Sequence, residues 1–319
     1  MSGPSAFWLR LSADHSERLD VHGYGEVKRQ QALRYFTWQW RWRQLRRSEQ
    51  FRFLWQNTSL ATKIVAAVAP QPLNAAAWSG LPWSRTDRWL YAFATRLLWD
   101  YAARSGDQAV LSLHEPALGN PPPVVWRGFI ASQDLANSAL EMEAIRRAVG
   151  TKAPQSIIEV GAGYGRTAYA LLGAFRTARY TIVDIEPALS LSRWYLSSLF
   201  PDRTLTFLHP DEATADVIGK CDLAISISSL QEMTHEQIAM YLGLLDQTTQ
   251  GVVFLKQWRQ WTNPDDGVIT ALGDYPIPSD WKLLFREPSP VQTAFDQAAW
   301  SVRWEEGAPN IADRTTEPS

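Results

Sequence analysis

The sixteen residues Ile157–Leu172, IIEVGAGYGRTAYALL, decide the fold of this 319-residue chain. The apolar run that ends at Val160 is typical of a buried strand, and the alanine- and leucine-rich run after Arg166 is typical of a helix. Glycines at alternate positions separate the two runs, and they allow the backbone to bend sharply and to lie close to a ligand. The stretch therefore predicts a strand, a glycine turn and a helix, which is the unit that builds a parallel sheet.

The chain after this stretch continues to alternate between strands and helices. Further strands are predicted at YTIVDI, LTFL, DLAISIS and GVVFLKQW, and an antiparallel pair at WKLLFREPSPVQ and FDQAAWSVRW closes the sheet. Apolar strands separated by helices indicate a parallel sheet that is covered on both faces. We predict a doubly wound, Rossmann-like α/β sheet of seven strands in the order 3-2-1-4-5-7-6, with strand seven antiparallel.

The first 127 residues differ from the rest in composition. Ten of the sixteen tryptophans precede residue 130, and six arginines lie between Arg34 and Arg52. One face of a predicted helix in this stretch carries large side chains at helical spacing, namely Tyr35, Trp38, Trp42 and Leu45. We expect helices that pack as a cap over the rest of the chain, with a base-stacking surface or a membrane-surface helix as less favoured alternatives.

Helix caps and a proline- and glycine-rich segment divide the chain into regions. TDRWLYAFATRLLWDYAARSG predicts a helix capped by Thr86, and SQDLANSALEMEAIRRAVG predicts a helix capped by Ser132 and ended by Gly150. Between these helices, the proline- and glycine-rich segment Pro116–Gly128 predicts a domain boundary. The predicted organisation is an N-terminal helical, Trp/Arg-rich cap region at 1–127, a cofactor-binding domain at 128–305 and a disordered tail at 306–319.

Charge and cysteine content narrow the class of protein. The net charge of −2 and the pI near 6.2 argue against a dedicated nucleic-acid binder, which is usually strongly basic. The single cysteine, Cys221, leaves no intrachain disulfide and fits a reducing, cytoplasmic location. The N-terminus lacks the pattern of a signal peptide, and no apolar run reaches the roughly eighteen residues of a membrane-spanning helix.

The glycine turn has the spacing G-x-G-x-G, at Gly161, Gly163 and Gly165, instead of the G-x-G-x-x-G of dinucleotide sites. Glu159 would repel a pyrophosphate, but it suits a ligand with an ammonium and a sulfonium group. Nineteen residues after Gly165, Asp184 ends the second strand, where a carboxylate can accept hydrogen bonds from two ribose hydroxyls. The combination predicts S-adenosylmethionine as the cofactor, and the competing interpretation is a plain tight turn beside a solvated acid.

Four segments together resemble one known family: EVGAGYGRTAYALL, YTIVDIEPALSLSRWYLSSLFP, ISISSLQEMTHEQI and FLKQWRQWTNPDDG. They are similar to a bacterial family of sugar O-methyltransferases, within the superfamily of class I S-adenosylmethionine-dependent methyltransferases, over about residues 128–304. The resemblance implies transfer of a methyl group to a hydroxyl of a sugar, in a glycan or a glycosylated metabolite. The alternatives are a methyltransferase of another small molecule and a non-catalytic binding or regulatory protein that keeps the fold.

Several further residues are candidates for the cofactor site. Tyr164 lies within the glycine turn, Ile185 follows Asp184, and His209 follows the third strand near the expected position of the adenine, as does Asp211. The helix before the first strand offers polar side chains for the methionyl end of the cofactor, and these are Gln133, Asp134 and Asn137.

The acceptor site is expected at the ends of strands four and five, because ligands in this fold bind beyond the carboxyl ends of the strands. Polar and aromatic residues at these ends are candidates to bind the acceptor, and they are Ser228, Ser229, Gln231, Lys256, Gln257 and Trp258. The competing interpretation for Trp258 is packing beneath the closing pair of strands, and this interpretation is favoured for Trp261.

Glu232 is the predicted catalytic base, because a sugar hydroxyl is a poor nucleophile until its proton is removed. His235 is the second candidate. The competing interpretation makes Glu232 an acid in the first turn of the next helix and His235 a solvated residue of that helix. The five histidines form no pair with metal-ligand spacing, so the sequence predicts no metal site.

Overall fold

The computed structural model describes residues 6–29, 48–264 and 267–303. Its α-helices within these ranges are α1 (Ala6–His22), α2 (Glu49–Gln56), α3 (Leu60–Val68), α4 (Arg85–Ser105), α5 (Gln108–Leu111), α6 (Gln133–Val149), α7 (Arg166–Ala174), α8 (Ala188–Leu199), α9 (Ala215–Ile218) and α10 (His235–Thr248). The helix predicted around Trp38 and Trp42 and the tail predicted at 306–319 lie outside the described residues.

The strands in the described part of the chain range from two to ten residues in length. They are β1 (Val125–Trp126), β2 (Phe129–Ile130), β3 (Ser156–Val160), β4 (Arg179–Val183), β5 (Leu205–Leu208), β6 (Cys221–Ile227), β7 (Thr249–Trp258), β8 (Trp261–Thr262), β9 (Ile269–Thr270), β10 (Lys282–Pro288) and β11 (Phe295–Ser301). The strands β1–β2 and β8–β9 form two separate antiparallel hairpins.

Seven strands form the central sheet, in the order β5-β4-β3-β6-β7-β11-β10. The first five pair in parallel, and β11 is antiparallel to both of its neighbours, β7 and β10. Numbered along the chain, these strands have the order 3-2-1-4-5-7-6. The predicted seven-stranded, Rossmann-like sheet is confirmed, together with its antiparallel seventh strand and the helical N-terminal region.

The sheet is buried on both faces, as its continuous apolar strands predict. Successive side chains of a strand point to opposite faces, so Ile157 joins a core with helices α4, α6, α7 and α8, whereas Ile158 joins a core with α10. Helix α4 belongs to the N-terminal region, yet Leu97 and Leu98 share the first core with Phe254 of β7. The boundary near residue 127 stays a prediction.

The helix ends follow from local hydrogen bonds, with one correction to the sequence analysis. Helix α4 is capped by Ser84 and not by Thr86, because Ser84 and Asp87 form a reciprocal capping box. The prediction for α6 is confirmed: the Ser132 side chain accepts the Leu135 N–H, and Gly150 ends the helix with a φ of 68°. Among the described residues, no helix has both the length and the apolar content to cross a membrane.

Arg96 of α4 fixes the N-terminal helices to the segment that leads into the sheet. Its side chain is fully buried, and its guanidinium donates to the carbonyl oxygens of Ala66 at 2.8 Å, Pro70 at 2.9 Å and Val125 at 3.0 Å. A further N–H reaches Gln71 Oε1 at 3.1 Å. The planar fork of arginine suits this multiple contact, because it carries five N–H donors in a fixed geometry.

Replacement of Arg96 by Met should lower the free energy of unfolding by about 3 kcal/mol or more, since it removes charge-assisted hydrogen bonds and leaves buried carbonyls without donors. Arg96→Lys keeps the charge but has fewer donors in a different geometry, so its stability should lie between those of the wild type and Arg96→Met. Denaturant unfolding of the three proteins measures the effect. Equal stability of wild type and Arg96→Met would contradict the anchoring role.

Candidate functional site

A cavity of about 380 Å³ lies at the carboxyl ends of the parallel strands. The order in which the chain adds strands reverses at β3, which has β4 on one side and β6 on the other. Ligands of doubly wound sheets bind in the crevice at this point. The glycine turn and Asp184 line one part of the cavity, and the ends of β6 and β7 line another. Helix α6, the turn between β10 and β11, and residues of α1 and α2 complete the walls.

The glycine turn adopts a backbone that other residues avoid. The φ angles of Gly161, Gly163 and Gly165 are 80°, 58° and 95°, all in the left-handed region. A Cβ atom on Gly161 would lie 2.0 Å from the Ser229 Oγ atom. The turn therefore packs directly against the end of β6, and at Gly161 only a residue without a side chain fits.

Asp184 follows β4 and is buried, with 7% of its surface exposed. Its Oδ2 atom accepts the Gly163 N–H at 3.0 Å, and its Oδ1 atom accepts the Ile185 N–H at 2.8 Å. Burial raises the pKa of the carboxyl to about 7, although these backbone hydrogen bonds oppose the shift. Because each carboxylate oxygen has more than one acceptor site, Asp184 can bind hydroxyl groups in the cavity while it holds the turn.

Glu159 lies in the centre of the sheet, on β3, and is 1% exposed. Its Oε2 atom accepts the Tyr180 O–H at 2.7 Å, and the residue lines the cavity. Burial raises the pKa of Glu159 to about 7, and the hydrogen bond from Tyr180 opposes that shift. A positively charged ligand in the cavity would favour the ionised form of this carboxyl.

A smaller cavity of about 40 Å³ adjoins the main one beside Asp184. The two share Gly161, Asp184, Ser229 and Trp8, whereas the remaining walls of the smaller one are mostly apolar and include Val160, Val183, Ile185, Met233 and Tyr241. Apolar walls next to a carboxylate suit a ligand with a flat, apolar ring attached to a hydroxylated group.

Glu232 lines the main cavity and is 3% exposed. It ends a short 3-10 turn, Leu230–Glu232, and its Oε1 atom accepts the Gln231 Nε2–H at 3.0 Å. Helix α10 begins later, at His235, where Thr234 and Gln237 form a capping box. Glu232 is therefore not a solvated first-turn acid of that helix, and its burial raises its pKa well above the ordinary range.

A cluster of charged side chains, Glu141, Arg166 and Lys256, forms another part of the cavity wall. Glu141 of α6 accepts hydrogen bonds from Arg166 at 2.7 Å and from Lys256 Nζ at 2.8 Å. Lys256 Nζ also donates to Gln292 Oε1. Burial alone would raise the pKa of Glu141, but the two cations outweigh that effect and lower the pKa. The cluster ties α6, α7 and β7 together at the cavity.

Sequence reasoning missed Glu141, Arg166 and Gln292, although one signal for Glu141 was present. Asp134, Asn137 and Glu141 have the spacing i, i+3, i+7, which places them on one face of α6, and all three line the cavity. A polar face on a helix that is otherwise buried indicates a site. Gln133, the third helix residue considered for the methionyl end, is buried and does not line either cavity.

The structure brings some of the remaining predicted residues to the cavity. Tyr164 lines it, while its hydroxyl donates to Asp134 Oδ2 at 2.5 Å. Ser228, Ser229, Lys256 and Trp258 line the part of the cavity at the ends of β6 and β7, and Trp258 is 37% exposed.

Five further predicted residues, among them Asp211, do not line either cavity. His209 is on the surface, 3.4 Å from Asp211, and His235 is exposed at the start of α10. Gln231 and Gln257 are fully buried behind the wall. The Gln257 Oε1 atom accepts the Ser229 N–H at 3.1 Å, and its Nε2 atom donates to the Ser226 carbonyl at 3.0 Å, so its amide fixes the end of β6.

Within residues 6–29, 48–264 and 267–303, no three His, Cys, Asp or Glu side chains are grouped so that they could hold a metal ion.

Solved structures similar to the chain include the pyocyanin biosynthetic protein PhzM, at 17% identity over 53% of this chain and 55% of that chain, with a TM-score of 0.38. The magnesium protoporphyrin IX methyltransferase ChlM of Synechocystis PCC 6803, with bound S-adenosylmethionine, has 14% identity over 53% and 82%, with a TM-score of 0.40. TrmN of Thermus thermophilus has 16% identity over 55% and 50%, with a TM-score of 0.40.

The chain spans about half the length of PhzM and of TrmN. No protein-family profile matches the chain, and no curated protein sequence does. The strand order of the sheet therefore carries the assignment of the fold, and the geometry of the cavity carries the argument about function.

The close packing of the glycine turn has a measurable consequence. Gly161→Ala should destabilise the protein by about 3 kcal/mol or more, because it adds a collision with Ser229 to the strain of a left-handed residue. Gly128→Ala is the matched control: its φ is 89°, but no atom lies within 4 Å of the added Cβ, so only about 1 kcal/mol is expected. Thermal unfolding distinguishes them, and equal losses would contradict the packing.

Proposed function

We propose that the chain is an S-adenosylmethionine-dependent O-methyltransferase whose acceptor is a hydroxyl of a sugar, in a glycan or a glycosylated metabolite. The observation that carries this proposal is the lining of a single cavity. The glycine turn and Asp184 form one side, suited to a nucleoside, and Glu232, Ser229 and Lys256 form the other, suited to a polyhydroxylated acceptor. Cofactor and acceptor would thus meet in one cavity, as group transfer requires.

The residues present fit the cofactor in chemistry and in position. Asp184 would accept the ribose hydroxyls, and the small apolar cavity beside it would receive the adenine. Glu159 would interact with the positive charge of the ligand, because it is a buried carboxyl on the same wall. When bound, S-adenosylmethionine supplies an electrophilic methyl group on a positively charged sulfur.

The acceptor side offers the functions that methyl transfer to a hydroxyl needs. Glu232 would accept the hydroxyl proton, and the ionised carboxylate is the form that can do so. Lys256 has three donor N–H groups, of which two reach Glu141 and Gln292, so a third can bind an acceptor oxygen. Trp258 and Trp261 both line the cavity, and the aromatic faces can pack on the apolar face of a sugar ring.

The test of the reaction uses the purified protein and S-adenosylmethionine labelled in its methyl group. Monosaccharides, nucleotide-linked sugars and glycosylated metabolites form one panel of acceptors, and phenols and other non-sugar hydroxyl compounds form a second. Mass spectrometry detects products heavier by one labelled methylene. Transfer to the second panel alone supports a methyltransferase of another small molecule, and binding of cofactor without transfer to a compound of either panel supports a non-catalytic protein.

Asp184→Asn should weaken the binding of S-adenosylmethionine roughly 10- to 100-fold, equivalent to about 1.5–3 kcal/mol, through loss of charge-assisted hydrogen bonds to the ribose. Asp211→Asn is the control, because its side chain is exposed and lies outside both cavities. Isothermal titration calorimetry gives both affinities. An Asp184→Asn variant that binds with wild-type affinity would place the cofactor elsewhere.

Glu232→Gln should keep the fold and the cofactor affinity but lower turnover about 100-fold or more, because the amide cannot accept a proton. Since burial raises the pKa of Glu232 well above 4.5 and the base must be ionised, wild-type turnover should fall as the pH decreases through that raised value. The variant should lack this pH dependence. Turnover is measured with the acceptor that the labelled assay identifies.

Two further variants serve as comparisons for Glu232→Gln. Glu236→Gln changes an exposed acid on the first turn of α10 and should leave turnover unchanged. His235→Ala tests the second catalytic candidate of the sequence analysis. Turnover that is lost in His235→Ala and retained in Glu232→Gln would refute the role of Glu232 as the base.

A further inference from the structure

Trp8 belongs to the N-terminal helix α1 and is a cavity-lining residue from outside the central sheet. It is 8% exposed, and it lines both the main cavity and the small apolar cavity beside Asp184. The two cavities meet at Gly161, Asp184 and Ser229, so the Trp8 indole lies where the two halves of a bound nucleoside would join. Of the residues that the structure describes, no other one outside the segment 160–229 lines both of these cavities.

Helix α1 crosses the edge of the sheet above this point. Near its start, the Phe7 ring packs edge-on against Trp261 of β8 at 5.4 Å between centroids, on the β7 side of the crevice. One turn later, the Ser12 hydroxyl donates to the Glu186 carbonyl at 2.6 Å, just after β4 on the other side. The helix therefore has contacts on both sides of the crevice, and Trp8 lies between them in the sequence.

The segment around Lys28, which follows α1, is held by an ion pair and a backbone hydrogen bond, whereas the connection at Gly23 has free space around it. Lys28 pairs with Glu115 and is 4% exposed, and its backbone N–H donates to the Gly119 carbonyl at 2.8 Å. Between this anchor and α1, Gly23 has a φ of 69° and no atom within 4 Å of the position of a Cβ. A glycine in such surroundings allows the helix to change its angle without disturbance of the anchored segment.

We propose that Trp8 is a cofactor-binding residue, whose indole packs on the adenosyl part of the cofactor, and that α1 closes over the bound cofactor as a cover. The proposal rests on the proposed function, because it takes the ligand to be S-adenosylmethionine or its product. An indole face stacks on a purine with a large contact area, and a cover that excludes water strengthens the polar contacts beneath it.

The first test measures affinity by calorimetry with S-adenosylhomocysteine and with 5′-methylthioadenosine, which lacks the amino-acid part. Trp8→Ala should weaken the binding of both probes by a similar factor, roughly 10- to 100-fold, as expected for the loss of an aromatic platform under a base. Trp8→Phe should restore most of the affinity. Leu9→Ala is the matched control, because Leu9 is the next residue of α1 and is 58% exposed.

The second test uses the wild-type protein, so it does not depend on the folding of a variant. Hydrogen exchange of the α1 amides should slow by tenfold or more on addition of saturating S-adenosylhomocysteine, because closure of the cover suppresses local opening. Phe7→Ala, which removes the contact with Trp261, should reduce this protection while Trp8 is still present.

The outcomes separate this inference from the proposed function. If the wild-type protein binds neither S-adenosylmethionine nor S-adenosylhomocysteine, the proposed function fails and this inference fails with it. If the wild type binds S-adenosylhomocysteine while Trp8→Ala binds it equally well and α1 exchange is unchanged, the cofactor assignment stands and the inference is overturned. Weaker binding of S-adenosylhomocysteine with unchanged binding of 5′-methylthioadenosine would also overturn the assignment of Trp8 to the adenosyl part.

Discussion

The site depends on the contact between Gly161 and Ser229. A Cβ at Gly161 would lie 2.0 Å from the Ser229 Oγ atom, so the turn after β3 packs directly against the end of β6. Ser229 is in turn held by the Gln257 amide, which also donates to Ser226. This series of contacts fixes the carboxyl ends of β3, β6 and β7 relative to one another. The floor of the cavity is thus set by contacts within the protein, and two of the residues involved, Gly161 and Ser229, also line the cavity.

A buried group of opposite charges supports the wall of the same cavity. Removal of charges from water is costly, and the attraction between them compensates only when the geometry is good and the remaining hydrogen bonds are satisfied. Glu141 meets this condition, because Arg166 donates to both oxygens of its carboxylate, Lys256 donates to Oε1, and each cation also reaches a further acceptor. The arrangement specifies how α6, α7 and β7 lie together more than it adds stability, so we interpret it as a device that positions the cavity wall.

The parts of the fold that the sequence predicts are those encoded by local patterns. Strand identity, strand order and the glycine turn follow from apolar runs, connection rules and residues that tolerate positive φ. The cap of α4 was placed wrongly at Thr86, because Ser84 and Asp87 form a reciprocal pair that the pattern of apolar residues does not locate.

The candidate site was harder to predict, because its walls come from segments distant in the sequence. Glu141 and Lys256 are 115 residues apart, and their contact depends on the packing of α6 against β7. Direction matters as much as proximity: His209 and Gln257 both lie near strand ends, yet one points to the surface and the other is buried behind the wall. A strand end restricts the position of a residue, but the sequence does not say to which side its side chain turns.

The apolar core on one face of the sheet runs without interruption from α4 to β3 and β7. A shared core of this kind couples the stability of α4 to that of the sheet, because the side chains of α4 are buried only while the sheet presents its apolar face to them. The N-terminal helices and the cavity floor should therefore melt together in a single cooperative transition. A ligand bound at the carboxyl ends of the strands would then stabilise α4, which does not line the cavity, and a destabilising change in α4 would weaken the binding of that ligand.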